Sequence, residues 1–246
     1  MNNPPLEWLM EVPPVSRCYL LLATFISAAC AFDVLSPLSL YFNVRLIAKG
    51  QVWRLITTFL YFGSPGLDFC LHMFFLVRYS KMLEEGREFH RKTSDFLWLL
   101  VFGMTVISLI APFLNVSFFG SSLTFMMVYV WARRNEDVRL QFLGLFPFRA
   151  PYLPFVLLSF SALLGSNVWH SIVVDGLGLI AGHLYFYAED VYPKVAEIRG
   201  WPVHRPLRAP IVVKWLFGET DLLGRALLPE MNRINEEIVG ERVMFM

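Results

Sequence analysis

The stretch GSSLTFMMVYVW, from Gly120 to Trp131, combines a Gly-x-Ser sequence with a long apolar run that contains no charged residue. A run of this kind is typical of a helix buried in a membrane or in a protein core. The serine near its start, Ser122, is a candidate nucleophile only if a base lies beside it in the folded chain. Two questions follow: whether the chain spans a membrane, and whether Ser122 has a base.

The composition indicates a polytopic membrane protein. Of the 246 residues, 56% are hydrophobic, 16% are aromatic and only 17% are charged. Soluble domains carry about 25% charged residues, so this chain has too few charges to cover a surface that faces water. The net charge of +1 argues against a nucleic-acid partner, because the chain has no broad basic field to neutralise phosphates.

Neither the cysteines nor the N-terminus indicates a further chemical site. Cys18, Cys30 and Cys70 lie in apolar runs, and their odd number suggests free thiols. No Cys-x-x-Cys pair or His/Cys cluster has metal-ligand spacing, so we expect neither a metal nor a cofactor. The first residues, MNNPPLEWLMEVPPVSR, carry two acids and two proline pairs. They predict an uncleaved first span rather than a cleavable signal peptide.

Apolar runs long enough to cross a bilayer, about 20 residues each, predict six membrane spans. The spans are assigned to residues 17–33, 55–77, two within 96–132, 150–174 and 175–189. Gly and Pro residues at 63–66 interrupt the second span, so its helix is expected to begin near Leu67. The sixth span has only about thirteen residues between Asp175 and Glu189. Asp175 is predicted to cap its N-terminus.

The basic residues predict the orientation of these spans. Arg and Lys are concentrated after the second and fourth spans and are absent from the loops after the third and fifth. The positive-inside rule then places both termini in the cytosol. Together, the spans and this orientation predict a cytosolic segment 1–17, a membrane domain 18–193 and a cytosolic tail 194–246. Residues 36–54 carry three cations on the side of the membrane away from the cytosol, against the rule. We therefore interpret them as a folded segment embedded in that membrane face and not as a free loop.

Several strings of residues, in the same order along the chain, resemble the Derlins, rhomboid-like proteins of the endoplasmic reticulum. The strings are QVWRLITTFLYF, HMFFLVRYSKMLEE, SLTFMMVYVW, FLGLF, YLP and IAGHLYF. A first loop that ends in Trp53-Arg54 and the pair Gly178-x-x-x-Gly182 also resemble the wider rhomboid superfamily. Both glycines fall on one helix face, where they let a neighbouring helix approach closely. The resemblance implies an all-α polytopic membrane protein with a rhomboid-like fold of six transmembrane helices and an embedded first luminal loop.

The same resemblance implies that the active site of the rhomboid proteases is lost. Active rhomboids place a histidine four residues before the first glycine of the Gly-x-x-x-Gly pair, and this chain has Val174 there. Without that general base the Ser122 hydroxyl is a poor nucleophile. His170 and His183 lie one turn before and about two turns after the expected position, so neither is a convincing substitute. We therefore expect a pseudoprotease without enzymatic activity.

The residues expected to stabilise an oxyanion differ too. His72 stands where active rhomboids have an asparagine, Asp68 where they have a histidine, and Leu123 where Gly-x-Ser-Gly has its last glycine. Asp68 and His72 are either a functional pair within the membrane or a pair at its interface, where a charge costs little. Trp53-Arg54 is either an ordinary interfacial anchor or a pin that holds the first loop on the helices, and the partner of Arg54 distinguishes the two.

The resemblance further implies a role in endoplasmic-reticulum-associated degradation, in which Derlins help misfolded luminal or membrane proteins reach the cytosol for ubiquitination and proteasomal degradation. Expected partners are these substrates, a membrane-bound ubiquitin ligase complex, further copies of the chain or other Derlins, and the ATPase known as valosin-containing protein. A helix shorter than the bilayer thins it locally, and the sixth span is the candidate for such thinning. The alternatives are an active intramembrane serine protease, disfavoured by Val174, and a transporter or channel, for which paired broken helices are not visible.

The tail contains one candidate sequence for docking the ATPase. Many Derlins end in a Phe/Trp-Gly-x-Gly-x-x-Leu-like segment. FGETDLLG matches it at Phe217, Gly218 and Leu223 but has Thr220 in place of the second glycine. The competing interpretation is an amphipathic tail helix that contains Phe217 and Leu223 and is capped near Thr220 or Asp221.

Overall fold

The computed structural model describes residues 4–90, 92–142, 146–164, 167–202 and 207–219. The chain forms two units, Met1–Leu207 and Arg208–Met246. The described residues are mostly helical, as the sequence predicts.

The helices of the first unit, in chain order, are α1 (Pro4–Glu11), α2 (Pro14–Ala31), α3 (Val44–Ala48), α4 (Arg54–Thr57), α5 (Leu67–Glu84), α6 (Thr93–Ile110), α7 (Gly120–Arg134), α8 (Leu153–Leu164), α9 (Val168–Phe186) and α10 (Tyr192–Ile198). Short 3₁₀ turns cover Pro37–Ser39, Ala111–Phe113 and Ala150–Tyr152, and a π-helical turn, Tyr187–Val191, joins α9 to α10. The second unit contains α11 (Ile211–Leu216).

A two-stranded antiparallel hairpin, β1 (Arg139–Phe142) and β2 (Phe146–Arg149), lies between α7 and α8. Its register pairs Arg139 with Arg149 and Phe142 with Phe146. The hairpin corrects the expectation of an all-α chain. Its runs of four residues, RLQF and FPFR, are too short to register in a search for spans of about 20 apolar residues.

Among the described residues, three helical stretches are long and apolar enough to cross a bilayer. They are Pro14–Ala31, Thr93–Phe113 and Val168–Ile198, with mean hydropathies of 1.4, 2.2 and 1.3. The chain is therefore a membrane protein. Helix α5 begins at Leu67, as the preceding Gly and Pro residues predict. Helices α7 and α8 have 15 and 12 residues, fewer than an average span.

The boundary between the last two predicted spans lies elsewhere. The sequence predicts it at Asp175, but α8 ends at Leu164 and α9 begins at Val168. Asn167 starts α9, because its side chain accepts a hydrogen bond from the backbone N–H of His170. Asp175 is therefore in the middle of α9, and the prediction that it caps a helix is wrong. The last span is not short either, since α9 has 19 residues.

Helix α7 lies at the centre of the first unit. Residues 122–132 are all buried, and α5, α6, α8 and α9 pack against α7. A helix that is apolar on all sides has to be covered on all sides, and here other helices cover it. The residues around Ser122, at the N-terminal end of α7, therefore lie inside the helix bundle.

Candidate functional site

Ser122, the expected relic of an active site, is completely buried where α7 meets α9. Its hydroxyl donates a hydrogen bond to the backbone carbonyl of Val174, with 2.6 Å between the two oxygens. The main chain thus holds the hydroxyl proton, and the valine side chain provides no base to remove it. The contact joins α7 to α9 and does not activate Ser122.

Gly178 and Gly182 lie on the face of α9 that contacts α7. A Cβ atom on Gly178 would overlap the backbone carbonyl of Ser122, and one on Gly182 would lie 3.0 Å from Cβ of Tyr129. The two glycines therefore let the helix backbones approach closely. Next to Gly182, Nδ1 of His183 lies 2.7 Å from the Tyr129 hydroxyl. His183 thus has a partner on α7 that is not a serine.

A chain of polar side chains from α5, α7 and α9 lies next to Ser122. Nε2 of His72 is 2.9 Å from Oγ of Ser121. The Ser121 hydroxyl donates in turn to Oδ1 of Asp175. On the other side of the imidazole, Nδ1 of His72 lies 2.9 Å from the backbone oxygen of Asp68 and 3.4 Å from its carboxylate Oδ1. The predicted pair on α5 is thus part of a larger cluster, which we call the polar cluster: Asp68, His72, Ser121 and Asp175.

Hydrogen-bond geometry restricts where the protons of the polar cluster can be. The Asp68 carbonyl can only accept, so Nδ1 of His72 carries a hydrogen. Ser121 has one hydrogen and donates it to Asp175, so Nε2 of His72 must donate to Ser121, which makes the imidazole cationic. The alternative is that a protonated Asp175 donates to Ser121 and Ser121 donates to His72. Both arrangements hold the same number of protons, so His72 and Asp175 together are neutral.

The polar cluster lines a cavity of 170 Å³. Aromatic side chains form part of its wall; they include Tyr61, Phe62 and Phe118. The Asp68 side chain is 58% exposed, whereas Asp175 is 1% exposed. The cavity therefore has an exposed carboxylate and a buried one among its lining groups.

The sequence predicts two members of the polar cluster and misses two. It indicates the ionisable pair on α5, but assigns Asp175 to a helix end and favours Ser122 over its neighbour Ser121. One available signal is that an aspartate inside a long apolar helix is itself a candidate functional residue. A second is that Asp175 precedes Gly178 by three residues, which places both on the helix face that meets α7.

Trp53 and Arg54, the end of the first loop, have different surroundings. Arg54 is buried, and its guanidinium donates to the backbone oxygens of Leu38 and Tyr41 at 3.1 and 2.9 Å. Trp53 is half exposed. The partners of Arg54 lie within the first loop itself, so this side chain holds the loop in shape.

Other residues attach the first loop to the helices. The Phe42 backbone N–H and the Thr58 hydroxyl both donate to the carbonyl of Ser117, in the connection between α6 and α7, at 2.9 and 2.8 Å. The Tyr19 hydroxyl of α2 donates to the carbonyl of Phe59 at 2.9 Å. The loop therefore contacts both α2 and the segment that leads into α7.

In the second unit, α11 ends at Leu216, Phe217 is its C-cap, and Gly218 follows with a φ of 67°. This left-handed conformation is the one that glycine favours after a helix. Leu223 and Thr220, the other residues that matter for the predicted docking sequence, lie outside the described residues.

A known protein family matches most of the first unit. The sequence profile of the Der1-like family matches residues 12–201. The chain belongs to the Der1-like family. The match runs from before α2 to beyond α10 and includes the whole polar cluster and both glycines of α9. The resemblance to the Derlins is thereby confirmed.

Individual relatives of this Der1-like protein support the same conclusion. "Derlin-2.2" of Arabidopsis thaliana is 45% identical over 225 residues, which cover 87% of this chain and 88% of the relative. "Derlin-2.1" of Zea mays is 43% identical over 229 residues, which cover 88% of both. The "Probable derlin-2 homolog" of Dictyostelium discoideum is 37% identical over 207 residues, which cover 81% of this chain and 80% of the relative.

The site of this Der1-like protein combines free thiols, a hydrogen-bonded serine and a polar cavity. In the described part of the chain, no group of three His, Cys, Asp or Glu side chains could hold a metal ion, and Cys18, Cys30 and Cys70 are free thiols. The serine at the relic position is hydrogen-bonded to a main-chain carbonyl. What remains is a cavity with polar groups among largely apolar helices.

Proposed function

We propose that this Der1-like protein is a retrotranslocation component of endoplasmic-reticulum-associated degradation, located in the endoplasmic reticulum membrane. In this role it helps misfolded luminal or membrane proteins reach the cytosol for degradation by the ubiquitin–proteasome system. The observation that carries the proposal is the Der1-like match over residues 12–201. The hydrogen bond from Ser122 to Val174 supports a pseudoprotease, which binds a polypeptide without cutting it.

The proposed membrane arrangement has six spans with a rhomboid-like fold. Helices α2, α5, α6, α7, α8 and α9 are the proposed spans, with residues 36–54 embedded on the luminal side. Basic residues support cytosolic positions for both termini, since they follow α5 and α7 and are absent between α6 and α7. In this arrangement residues 1–17 and 194–246 are cytosolic and flank the membrane domain 18–193.

A short helix supports a route for polar chain through the membrane. At a rise of about 1.5 Å per residue, the 12 residues of α8 extend about 18 Å, well below the hydrocarbon thickness of about 30 Å. A bilayer next to such a helix becomes thinner. We assign the thinning to α8, since α9 is not short, and infer that it lowers the free energy of moving polar peptide groups across the membrane.

The proposed partners follow from this role. They are misfolded protein substrates, a membrane-bound ubiquitin ligase complex, and further copies of this chain or other Derlins. Movement against the hydrophobic barrier requires a motor, for which the valosin-containing protein ATPase is proposed, docked on the tail at Phe217, Gly218 and Leu223. No cofactor and no nucleic acid is part of the proposal.

The competing function is an intramembrane serine protease that uses Ser121 instead of Ser122. One observation favours it: Asp68, His72 and Ser121 are in contact in the order of a Ser-His-Asp triad. The Ser121 hydroxyl, however, donates its hydrogen to Asp175, and the imidazole that should accept it is a donor when Asp175 is ionised. We therefore favour the polar cluster as a binding site.

The experiment that tests the proposed function is depletion of the protein in its own cells, followed by measurement of the half-life of a misfolded luminal substrate. We expect the half-life to increase several-fold and to return to normal with the wild-type chain and with Ser122→Ala. An unchanged half-life after depletion would contradict the proposal. Restoration by the wild type and by Ser122→Ala but not by Ser121→Ala, with all three at equal levels, would favour the protease that uses Ser121.

A further inference from the structure

One oxygen of the buried Asp175 carboxylate has no partner. Oδ1 accepts from Ser121, but Oδ2 has no hydrogen-bond partner among the described residues, although Asp175 is only 1% exposed. The Ser161 hydroxyl of α8 interacts with the same carboxylate, but no donor of the described residues lies within hydrogen-bond distance of Oδ2. A buried polar oxygen without a partner costs free energy. It therefore indicates a position for a hydrogen-bond donor that comes from another molecule.

The charges of the cavity favour a positively charged donor. Asp175 lines the cavity together with Asp68, His72 and His170, and the described residues that line it include no Lys or Arg. His72 and Asp175 together are neutral, because they share one proton through Ser121. Asp68 then adds a negative charge, so a cation complements the cavity.

The shape of the cavity favours a long side chain over a bare ion. Its wall includes Tyr61 and Phe118, whose ring centroids are 4.7 Å apart, and the ring of Phe62. Aromatic faces attract cations and also cover methylene groups. Lys and Arg side chains combine an apolar stem with a charged head. A divalent metal ion is disfavoured, because no three metal-ligating side chains meet within the described residues.

We propose that this cavity binds a Lys or Arg side chain of the polypeptide that the protein moves. The charged head donates to Oδ2 of Asp175, and the stem lies against the aromatic wall. The inference rests on the proposed function and adds a feature of its substrates: segments with a basic residue between apolar ones are held at the polar cluster. Binding gives a partner to a buried oxygen that otherwise has none.

The test uses the full-length protein in lipid nanodiscs and short fluorescent peptides that differ at one position. The probe peptide has one Lys among Leu, Ser and Gly residues, and its control has norleucine, which keeps the stem and lacks the ammonium group. Fluorescence anisotropy should show that the Lys peptide binds at least about tenfold more tightly. Equal affinity for the two peptides would overturn the proposal.

Variants of the protein locate the site. Asp175→Asn has nearly the same shape but no charge, and we expect it to remove the preference for Lys. Asp33→Asn is the matched control, since Asp33 is exposed and has a φ of 56°, which Asn also adopts readily. Retention of the Lys preference by Asp175→Asn would overturn the proposal. If that variant does not fold, Asp68→Asn changes an exposed side chain and should weaken the Lys peptide about threefold.

The two proposals fail in different ways. If the Lys peptide is not preferred but the substrate half-life still depends on the protein, the proposed binding of Lys or Arg in the cavity is wrong. The proposed role in retrotranslocation is then unaffected. If the Lys preference depends on Asp175 but depletion does not change the substrate half-life, the proposed function is wrong. The cavity then remains a binding site for basic side chains.

Discussion

Glu84 of α5 accepts two hydrogen bonds from Ser16 of α2, one from the backbone N–H at 2.9 Å and one from the hydroxyl at 2.7 Å. Its other oxygen accepts from the backbone N–H of Val15 at 3.1 Å. The N–H groups in the first turn of a helix have no acceptor within the helix. A carboxylate from another helix satisfies them here, and its negative charge also suits the helix N-terminus.

Replacing Glu84 with Ala should destabilise the protein by about 1.5–3 kcal/mol, because buried N–H groups of α2 lose charged acceptors. Thermal unfolding in detergent, followed by tryptophan fluorescence, measures the loss as a lower Tm. Glu85→Ala is the matched control: this neighbour is exposed, and its contact with Lys81 is 3.8 Å long. Equal Tm values for the two variants would show that the cap does not stabilise the fold.

The hydrogen bonds of Glu84 show where prediction from sequence reaches its limit. Glu84 and Ser16 are 68 residues apart, and no local pattern encodes such a pairing. The start of α5 at Leu67 was predictable because Gly and Pro residues interrupt helices locally. The mostly helical, membrane-spanning character was predictable for a similar reason, since it depends on composition and on the lengths of apolar runs.

The position of Asp175 could not be obtained from charge and hydropathy alone. The charge-free run predicts one span, but a side-chain cap at Asn167 divides it, and the last helix begins at residue 168, seven residues before the predicted 175. Ser121 was missed because its role depends on a helix rotation that brings it to His72 and Asp175. Packing in three dimensions determines both.

Replacing Gly178 with Ala should lower the Tm or the yield of folded protein, and Leu should do so more strongly. Either side chain pushes α9 away from the Ser122 carbonyl, and overpacking of this kind costs about 1–3 kcal/mol or more. Gly176→Ala is the matched control on the same helix, since no atom lies within 4 Å of the added Cβ. A Gly178→Leu variant that folds as well as Gly176→Ala would contradict close packing of α7 and α9.

Ser122 and Ser121 should not react with a fluorophosphonate probe. The Ser122 hydroxyl donates to a carbonyl, and the Ser121 hydroxyl donates to Asp175 when that carboxylate is ionised, so in that state neither serine donates to an imidazole. Mass spectrometry of the probe-treated protein, with an active serine hydrolase in the same tube as positive control, measures any adduct. An adduct on Ser122 that is lost in Ser122→Ala would identify an active protease.

Protease added to sealed microsomes should remove the tail beyond Ile198 if, as proposed, the basic residues after α5 and α7 keep the tail in the cytosol. An epitope tag after Met246 reports the cleavage on a blot. A luminal marker protein in the same microsomes must stay intact as the control. A protected tag that becomes sensitive only after detergent would reverse the proposed orientation.

A peptide spanning Lys214 to Ala226 should bind the N-terminal domain of the valosin-containing protein ATPase. Phe217 and Gly218 match the docking sequence, and they directly follow α11, so a short exposed segment presents the aromatic ring. Phe217→Ala should reduce binding at least about tenfold, which corresponds to the loss of one anchoring side chain at an interface. Isothermal titration calorimetry measures both affinities.

Thr220→Gly provides the sharper test, because it changes the residue at which the tail departs from the docking sequence. If the segment docks as proposed, glycine at this position removes a Cβ from a close backbone contact and should tighten binding. If the segment is instead an amphipathic helix, glycine lowers helix stability by about 1 kcal/mol, and binding should weaken or stay absent. Absence of binding by the wild-type and Thr220→Gly peptides alike would contradict the proposed docking of the ATPase on this segment.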